Sequence, residues 1–177
     1  MGVALSISET DKNELPKQWK YIKLGDIAGT QSGGTPRRNQ VEFFDGNIPW
    51  VKSGELGDKV VTETEEKITE FAIEQSSAKL FPVGTLCIAL YGATVGKLGI
   101  LGIEAATNQA VCGIFLPKEV KTWYAYYYLL SIRKQLIDLG KGGAQSNISS
   151  GIIKDIKFPI APLNEQKRII AKIEQCW

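Results

Sequence analysis

Between residues 84 and 116 the chain runs as three short apolar stretches, Gly84–Tyr91, Lys97–Leu101 and Gln109–Leu116, with turn residues between them. Runs this short, bounded by turn signals and rich in Val, Ile and Leu, are strands rather than helices. Gly92, Gly96, Gly99 and Gly102 punctuate them. Glycine at that density inside a strand block predicts a tightly bent or bulged sheet.

The flanks are mixed. Residues 1–18 are polar and read as a loosely held lead-in. Lys20–Ile27 alternates briefly and reads as a strand or a short helix, 29–39 as a Gly/Ser/Thr/Pro loop, and Ile48–Lys52 as a strand. Thr69–Lys79 has helical composition and stops before Phe81-Pro82. Thr122 is placed to cap a helix from Trp123 to Leu139 that Gly140 closes. A second polar loop follows at 140–151, and the alternation of Ile152–Ile160 predicts a strand. Pro162 and Asn164 then open a last helix in which Ile169/Ile170, Ile173 and Cys176/Trp177 recur at coiled-coil-like spacing. That seam is expected to continue in a longer parent chain or to pack on another chain. The fold class expected is α/β (α+β), with a bent, mostly antiparallel sheet, flanking helices and a C-terminal coiled-coil-like helix. The division expected is lead-in 1–18, globular domain 19–161 and helix 162–177.

Composition excludes several chemistries. With no His in the sequence there is no Ser-His-Asp or Cys-His pair, no imidazole base and no His-ligated metal. Cys87, Cys112 and Cys176 are too scattered for a CxxC pair, and their odd number argues against a disulfide framework. Gly92–Leu98 has only three residues between its glycines and Leu98 after the lysine, so it is no P-loop. No apolar stretch is long enough to span a bilayer, and the start lacks the pattern of a secretory signal. The formal charge is only +2, but it is uneven: residues 61–80 hold five Glu against two Lys, and 121–177 hold nine Lys/Arg against four Asp/Glu.

Two polar loops and one β-turn remain, with side chains that suit nucleic acid. The first loop offers Thr35, Arg37 and Arg38; Lys52 ends the strand after it. The turn offers Tyr91, Thr94 and Lys97, and the second loop Lys141, Gln145 and Asn147. Arg forks onto guanine, Asn and Gln onto adenine, and Lys suits phosphate.

The strings KLGDI, SGGTP, GNIPWVKSGEL, FPVGTLCIALYGATVGKLGIL, AATNQAV, KGGAQSNIS and IAPLNEQKRIIAKIE, in this order over about residues 15–177, resemble the DNA-specificity subunit of type I restriction–modification systems. The resemblance implies a non-catalytic target recognition domain that reads half of a split double-stranded DNA target. It implies methyltransferase subunits as partners, a restriction subunit in the full complex, and a prokaryotic cytoplasm. It implies no cofactor on this chain, S-adenosylmethionine being held by the methyltransferase partner. One recognition domain and the start of one spacer helix are present, so a half-subunit or a cut-down fragment is expected. Self-association or partner docking falls to Ile169, Ile170, Ile173 and Trp177. Within the family, base readout sits in variable stretches. Thr35, Lys97, Lys141, Gln145 and Asn147, inside recurring strings, are therefore expected to support the fold or touch backbone, and Arg37, Arg38 and the 55–75 region to read bases. Two other readings are an assembly module acting through the last helix and a fragment of a DNA adenine methyltransferase. The methyltransferase reading lacks its glycine motif and its Asn/Asp-Pro-Pro-aromatic tetrapeptide.

Overall fold

A computed structural model describes residues 16–141 and 147–176; Gln145 and Trp177 lie outside the described residues. The first half holds β1 (Lys20–Lys23), α1 (Leu24–Ile27), β2 (Gly29–Ser32), β3 (Phe44–Val51), β4 (Lys59–Val61), β5 (Glu66–Ile68), α2 (Glu70–Gln75) and β6 (Leu80–Phe81). The second holds β7 (Leu86–Ala89), β8 (Leu98–Leu101), β9 (Ala105–Thr107), β10 (Val111–Phe115), α3 (Thr122–Ser131), α4 (Arg133–Leu139), α5 (Ser150–Lys154), β11 (Lys157–Ile160) and α6 (Leu163–Glu174).

The three apolar runs become β7, β8 and β10, adjacent in a five-stranded sheet of order β2-β10-β7-β8-β4. Every residue of β7 and β8 is buried. A strand covered on both faces needs no polar alternation, which is why these runs read as continuously apolar. The two faces nevertheless serve different cores. Leu86, Ile88, Leu98, Ile100, Cys112 and Ile114 pack with Tyr124, Leu129, Ile153 and Phe158 on the helical side. Cys87, Ala89, Leu101 and Val111 pack on the other side with Val51, Phe81 and Ala105 of a second sheet, ordered β5-β3-β9-β6. The far face of that sheet gives Trp50, Ile68 and Ala106 to a third cluster under Ala72 of α2. The layers therefore run helices, five-stranded sheet, four-stranded sheet, α2. Each fully buried Leu, Ile or Phe contributes about 1.5–3 kcal/mol.

One bent sheet was expected; among the described residues there are three, the third being the antiparallel pair β1–β11. The ladders are mostly antiparallel, with parallel exceptions at β3–β9 and β4–β8. The turn at Gly102 carries the chain from β8 in one sheet to β9 in the other, and buried runs on either side of it give no sign of that change.

Several local expectations change. The helix expected over 123–139 breaks at Ile132 (φ −99°, ψ 7°) into α3 and α4, which brings Arg133 and Ile137 against Gly96. Thr122 is the first helical residue rather than the cap. Residues 152–160 are not one strand: Ser149 Oγ accepts the Ile152 N–H at 3.2 Å and nucleates α5 before β11 begins. The Lys20–Ile27 segment is strand and then helix, and 29–32 of the expected loop pair with β10. Thr69 caps α2 through the Ala72 N–H, and the helix ends at Gln75, where the Ser76 hydroxyl donates back to the Ala72 carbonyl. Asn164 lies inside α6, whose N-cap is Pro162. Cys87 and Cys112 are buried, which pushes the Cys87 thiol far above its ordinary range and the Cys112 thiol up to about 11.

Helix α3 is tied down by its tyrosines. The Tyr124 hydroxyl donates to the Pro159 carbonyl at 2.8 Å, Tyr128 to Lys157 at 2.6 Å and Tyr126 to Asp58 at 2.9 Å. Helix α6 does not stand free, because Ile169 and Ile170 pack onto the helical-side core. Its fastener is Gln166, 1% exposed. The Gln166 Oε1 accepts the Lys121 N–H at 2.8 Å, and Nε2 donates to the Glu119 carbonyl at 2.9 Å and the Ala161 carbonyl at 2.8 Å. One side chain thus satisfies an orphan donor at the start of α3 and two loop carbonyls. Gln166→Leu strands all three and should lower stability by roughly 2–4 kcal/mol in a urea titration followed by circular dichroism.

Candidate functional site

The strand registers gather distant loops at one end. Ser32 at the end of β2 pairs with Cys112 at the start of β10, and Val111 pairs with Ala89 at the end of β7. Val51 at the end of β3 lies beside Thr107 at the end of β9, and Trp50 pairs with Glu66 at the start of β5. Lys59 at the start of β4 pairs with Gly99 near the start of β8. The segments 33–40, 52–58, 90–97 and 108–110, together with the acidic start of β5, therefore meet on one edge. Asn147 joins them, bridging to Tyr91, with the Ile148 N–H on the Leu90 carbonyl at 2.7 Å.

The first loop is pressed against the sheets by two glycines. Gly33 and Gly34 donate to the Val111 and Thr107 carbonyls at 2.9 Å, and the Trp50 indole donates to the Gly34 carbonyl at 3.1 Å. A Cβ on Gly33 would collide with the Thr107 hydroxyl, and one on Gly34 with the Ser77 carbonyl. The loop then presents Thr35, whose hydroxyl donates to the Gln109 amide oxygen. Arg37 is exposed and lines a groove of about 510 Å³ with Thr35, Gln40, Phe43, Phe71 and Ser77. Arg38 forks onto the Glu66 carboxylate and lies over the rings of Phe44 (4.8 Å) and Trp50 (5.0 Å).

Lys52 belongs to the same cluster, with Nζ 2.6 Å from Glu65 and 3.2 Å from Glu66. Its neighbour Ser53 accepts the Thr94 hydroxyl at 3.0 Å, so residues 41 apart in sequence connect the first cluster to the Tyr91–Lys97 turn. Lys97 is half-buried and, among the described residues, pairs with no carboxylate. Lys141 is exposed and, just past the end of α4, paired at 2.6 Å with Asp138 of that helix. Thr35, Arg38 and Lys52 thus sit in one cluster, Tyr91, Thr94, Lys97 and Asn147 in its neighbour, and Lys141 lies near the second through the Asn147 N–H on Gly140. Ile169, Ile170 and Ile173 are half-buried on α6, away from this edge.

Sequence reasoning missed the residues that hold the site. Glu55 accepts the Lys52 N–H at 2.6 Å and the Glu65 N–H at 2.8 Å, joining the end of β3 to the segment before β5. Asp58, at φ 58°, accepts the Leu98 N–H at 2.9 Å and forms a forked pair with Arg133, bracing the turn under α4. An acidic residue whose partners lie in another segment leaves no local signal; Glu55 and Asp58 fall in the 55–75 region expected to read bases, with nothing in the sequence to mark them as braces. Among the described residues no His, Cys, Asp or Glu cluster has the make-up of a metal site, and no helix is long and apolar enough to cross a membrane.

Comparison with known proteins points one way. The model of the type I restriction modification DNA specificity domain matches residues 16–176. The specificity subunit of the Escherichia coli type I restriction enzyme EcoR124I/EcoR124II is 29% identical over 164 residues, covering 89% of this chain and 40% of that protein. Among solved structures, a chain from a type I R-M system studied for complex assembly and conformational transition superimposes with a TM-score of 0.75 at 21% identity, over 94% of this chain and 40% of that one. The HsdS subunit from Thermoanaerobacter tengcongensis gives 0.71 at 20% identity, over 94% and 39%. The chain thus spans about two fifths of the length of the relatives it matches.

The Arg38 and Lys52 cations hold the Glu66 carboxyl below the usual carboxylate value of 4.5, the Arg38 hydrogen bonds first. A depressed carboxyl contributes stability that is complete above the unfolded value and is lost as pH falls through the folded one. Glu66→Gln should therefore flatten the loss of stability between about pH 5 and pH 3 in thermal melts, with little change in that slope above pH 6.

Proposed function

The chain belongs to the type I restriction modification DNA specificity domain family, and from that premise we propose that it reads one half of a bipartite double-stranded DNA target and carries out no chemistry itself. Its task is to bring methyltransferase subunits, which hold S-adenosylmethionine, to that sequence, with a restriction subunit joining in the full complex in a prokaryotic cytoplasm. The observation that carries the reading is the gathering of four loops, distant in sequence, on one edge of two packed sheets. A rigid double-sheet floor with variable polar loops suits base readout, because the floor fixes register while the loops carry specificity.

Within that edge Arg37 is the strongest candidate for a base contact, being exposed and without a carboxylate partner among the described residues. Lys97 and Lys141 suit phosphate, Thr94 and Tyr91 shape the turn between them, and Asn147 stands exposed beside Tyr91. Residues 19–161 form the reading domain, and α6 with the residues after it begins the spacer. Ile173 and the positions beyond it supply the docking or self-association seam, since Ile169 and Ile170 are already packed on their own domain.

With a formal charge of +2 the chain neutralises few phosphates, so it should bind duplex DNA weakly alone and strongly with its methyltransferase partner. Selection from randomised duplexes by the chain–methyltransferase complex should enrich one short motif; a complex that enriches none overturns the reading. Fluorescence anisotropy should show Arg37→Ala costing roughly 1–3 kcal/mol and relaxing one motif position, and Lys141→Ala weakening all sequences alike while lowering the salt slope by about one.

A further inference from the structure

An acidic pair stands on the edge proposed to meet DNA, where phosphate would repel it. Glu65 and Glu66 are held there by construction. The Glu55 carboxylate ties the Lys52 and Glu65 backbones together, so the two side chains face each other across the ends of β3 and β5. Lys52 bonds both carboxylates, and Arg38 forks onto Glu66 with its guanidinium over Phe44 and Trp50. Two cations and two carboxylates close into an ion-paired cluster, with the Glu55 carboxylate beneath it. Its side chains reach solvent to different extents: Glu65 is 73% exposed, Arg38 54%, and Lys52 and Glu66 30% each.

We infer that Glu65 and Glu66 are specificity-determining residues that hold Lys52 and Arg38 off the phosphate backbone until a cognate sequence is in place, and so suppress binding to non-cognate duplex. The inference rests on the DNA-reading function proposed above. Non-specific affinity comes from cations that neutralise phosphates and release counterions. A cation already paired within the chain releases fewer, and its carboxylate partner adds repulsion. Exposed ion pairs are weak, so correct base contacts suffice to exchange them. Glu65, the most exposed member and bonded through its side chain, among the described residues, to Lys52 alone, opens first. Arg38 stays registered on Phe44 and Trp50 while its partner changes, which keeps its guanidinium aimed as the cluster opens.

The test uses the chain–methyltransferase complex and two duplexes, one carrying the motif selected by the wild-type complex and one scrambled, titrated across a series of salt concentrations. Glu65→Gln, which leaves Lys52 only its longer 3.2 Å contact with Glu66, should steepen the salt dependence on scrambled duplex by up to about the 0.9 that one phosphate contact adds. Affinity for that duplex should rise roughly twofold to fivefold, the worth of one exposed ion pair. Affinity for the selected motif should change less, so discrimination falls. Glu66→Gln should act in the same direction. In Lys52→Ala/Glu65→Gln the slope should return to that of the wild type, because the cation that Glu65→Gln releases is gone. An unchanged slope in Glu65→Gln, or a gain that persists without Lys52, overturns the inference. The exposed Glu65 side chain makes that variant decisive even if Glu66→Gln unfolds. A wild-type complex that selects no motif overturns the DNA-reading function and this inference with it; a motif selected with unmoved slopes overturns the inference alone.

Discussion

Strand β7 has no solvent face, and the rest of the molecule is arranged around that fact. Leu86 and Ile88 require a helical layer on one side; Cys87 and Ala89 require a second sheet on the other. The small residues on the second side, Ala89, Ala105 and Gly113 among them, let the two sheets approach closely, and Phe81 fills the gap they leave. Helix α3 covers the first side and is held at its tyrosines, which reach past the apolar layer to backbone carbonyls of β11 and of the Asp58 turn. A tyrosine in such a place buries its ring and satisfies its hydroxyl at once.

The same floor makes the reading edge. Because β2, β7 and β3 end where β10, β8 and β5 begin, every loop on that side emerges at one level. The tight approach of Gly33 and Gly34 to the β9–β10 turn fixes the first loop, Ser53 and Thr94 join the next two, and Asp58 with Arg133 braces the third beneath α4. Specificity in such an arrangement comes from few side chains on a stiff base, and the charge around them is balanced rather than basic. The site's cations at Arg38 and Lys52 are matched by Glu65 and Glu66.

The other end of the molecule couples the reader to its spacer. Gln166, 1% exposed, makes three side-chain hydrogen bonds, and Ile169 and Ile170 pack on the helical-side core. The direction in which α6 leaves the domain is therefore set by buried contacts and not by a flexible joint. The seam expected to continue in a longer chain or pack on another one is in part an internal contact, since Ile169 and Ile170 pack on the domain's own core.

The sequence by itself determined the three apolar strands of 84–116, a helix after Thr69, the α/β class and, through its recurring strings, the family. These are local matters: short-range periodicity, turn residues and side-chain caps act over a few positions. It did not reveal that β9, lying between two of the apolar runs, belongs to a second sheet, that Ile132 breaks a helix, or that Ser149 starts one inside an alternating stretch. Nor did it reveal the site's supports. Arg38, Lys52, Tyr91 and Thr94 were legible as polar loop residues. Glu55, Glu66, Asp58, Arg133 and Gln166 were not, because each acts on a partner far away in the chain or on a backbone group. Only tertiary structure decides which charges cancel, since an ion pair depends on where two strand ends meet and no spacing along the chain records that.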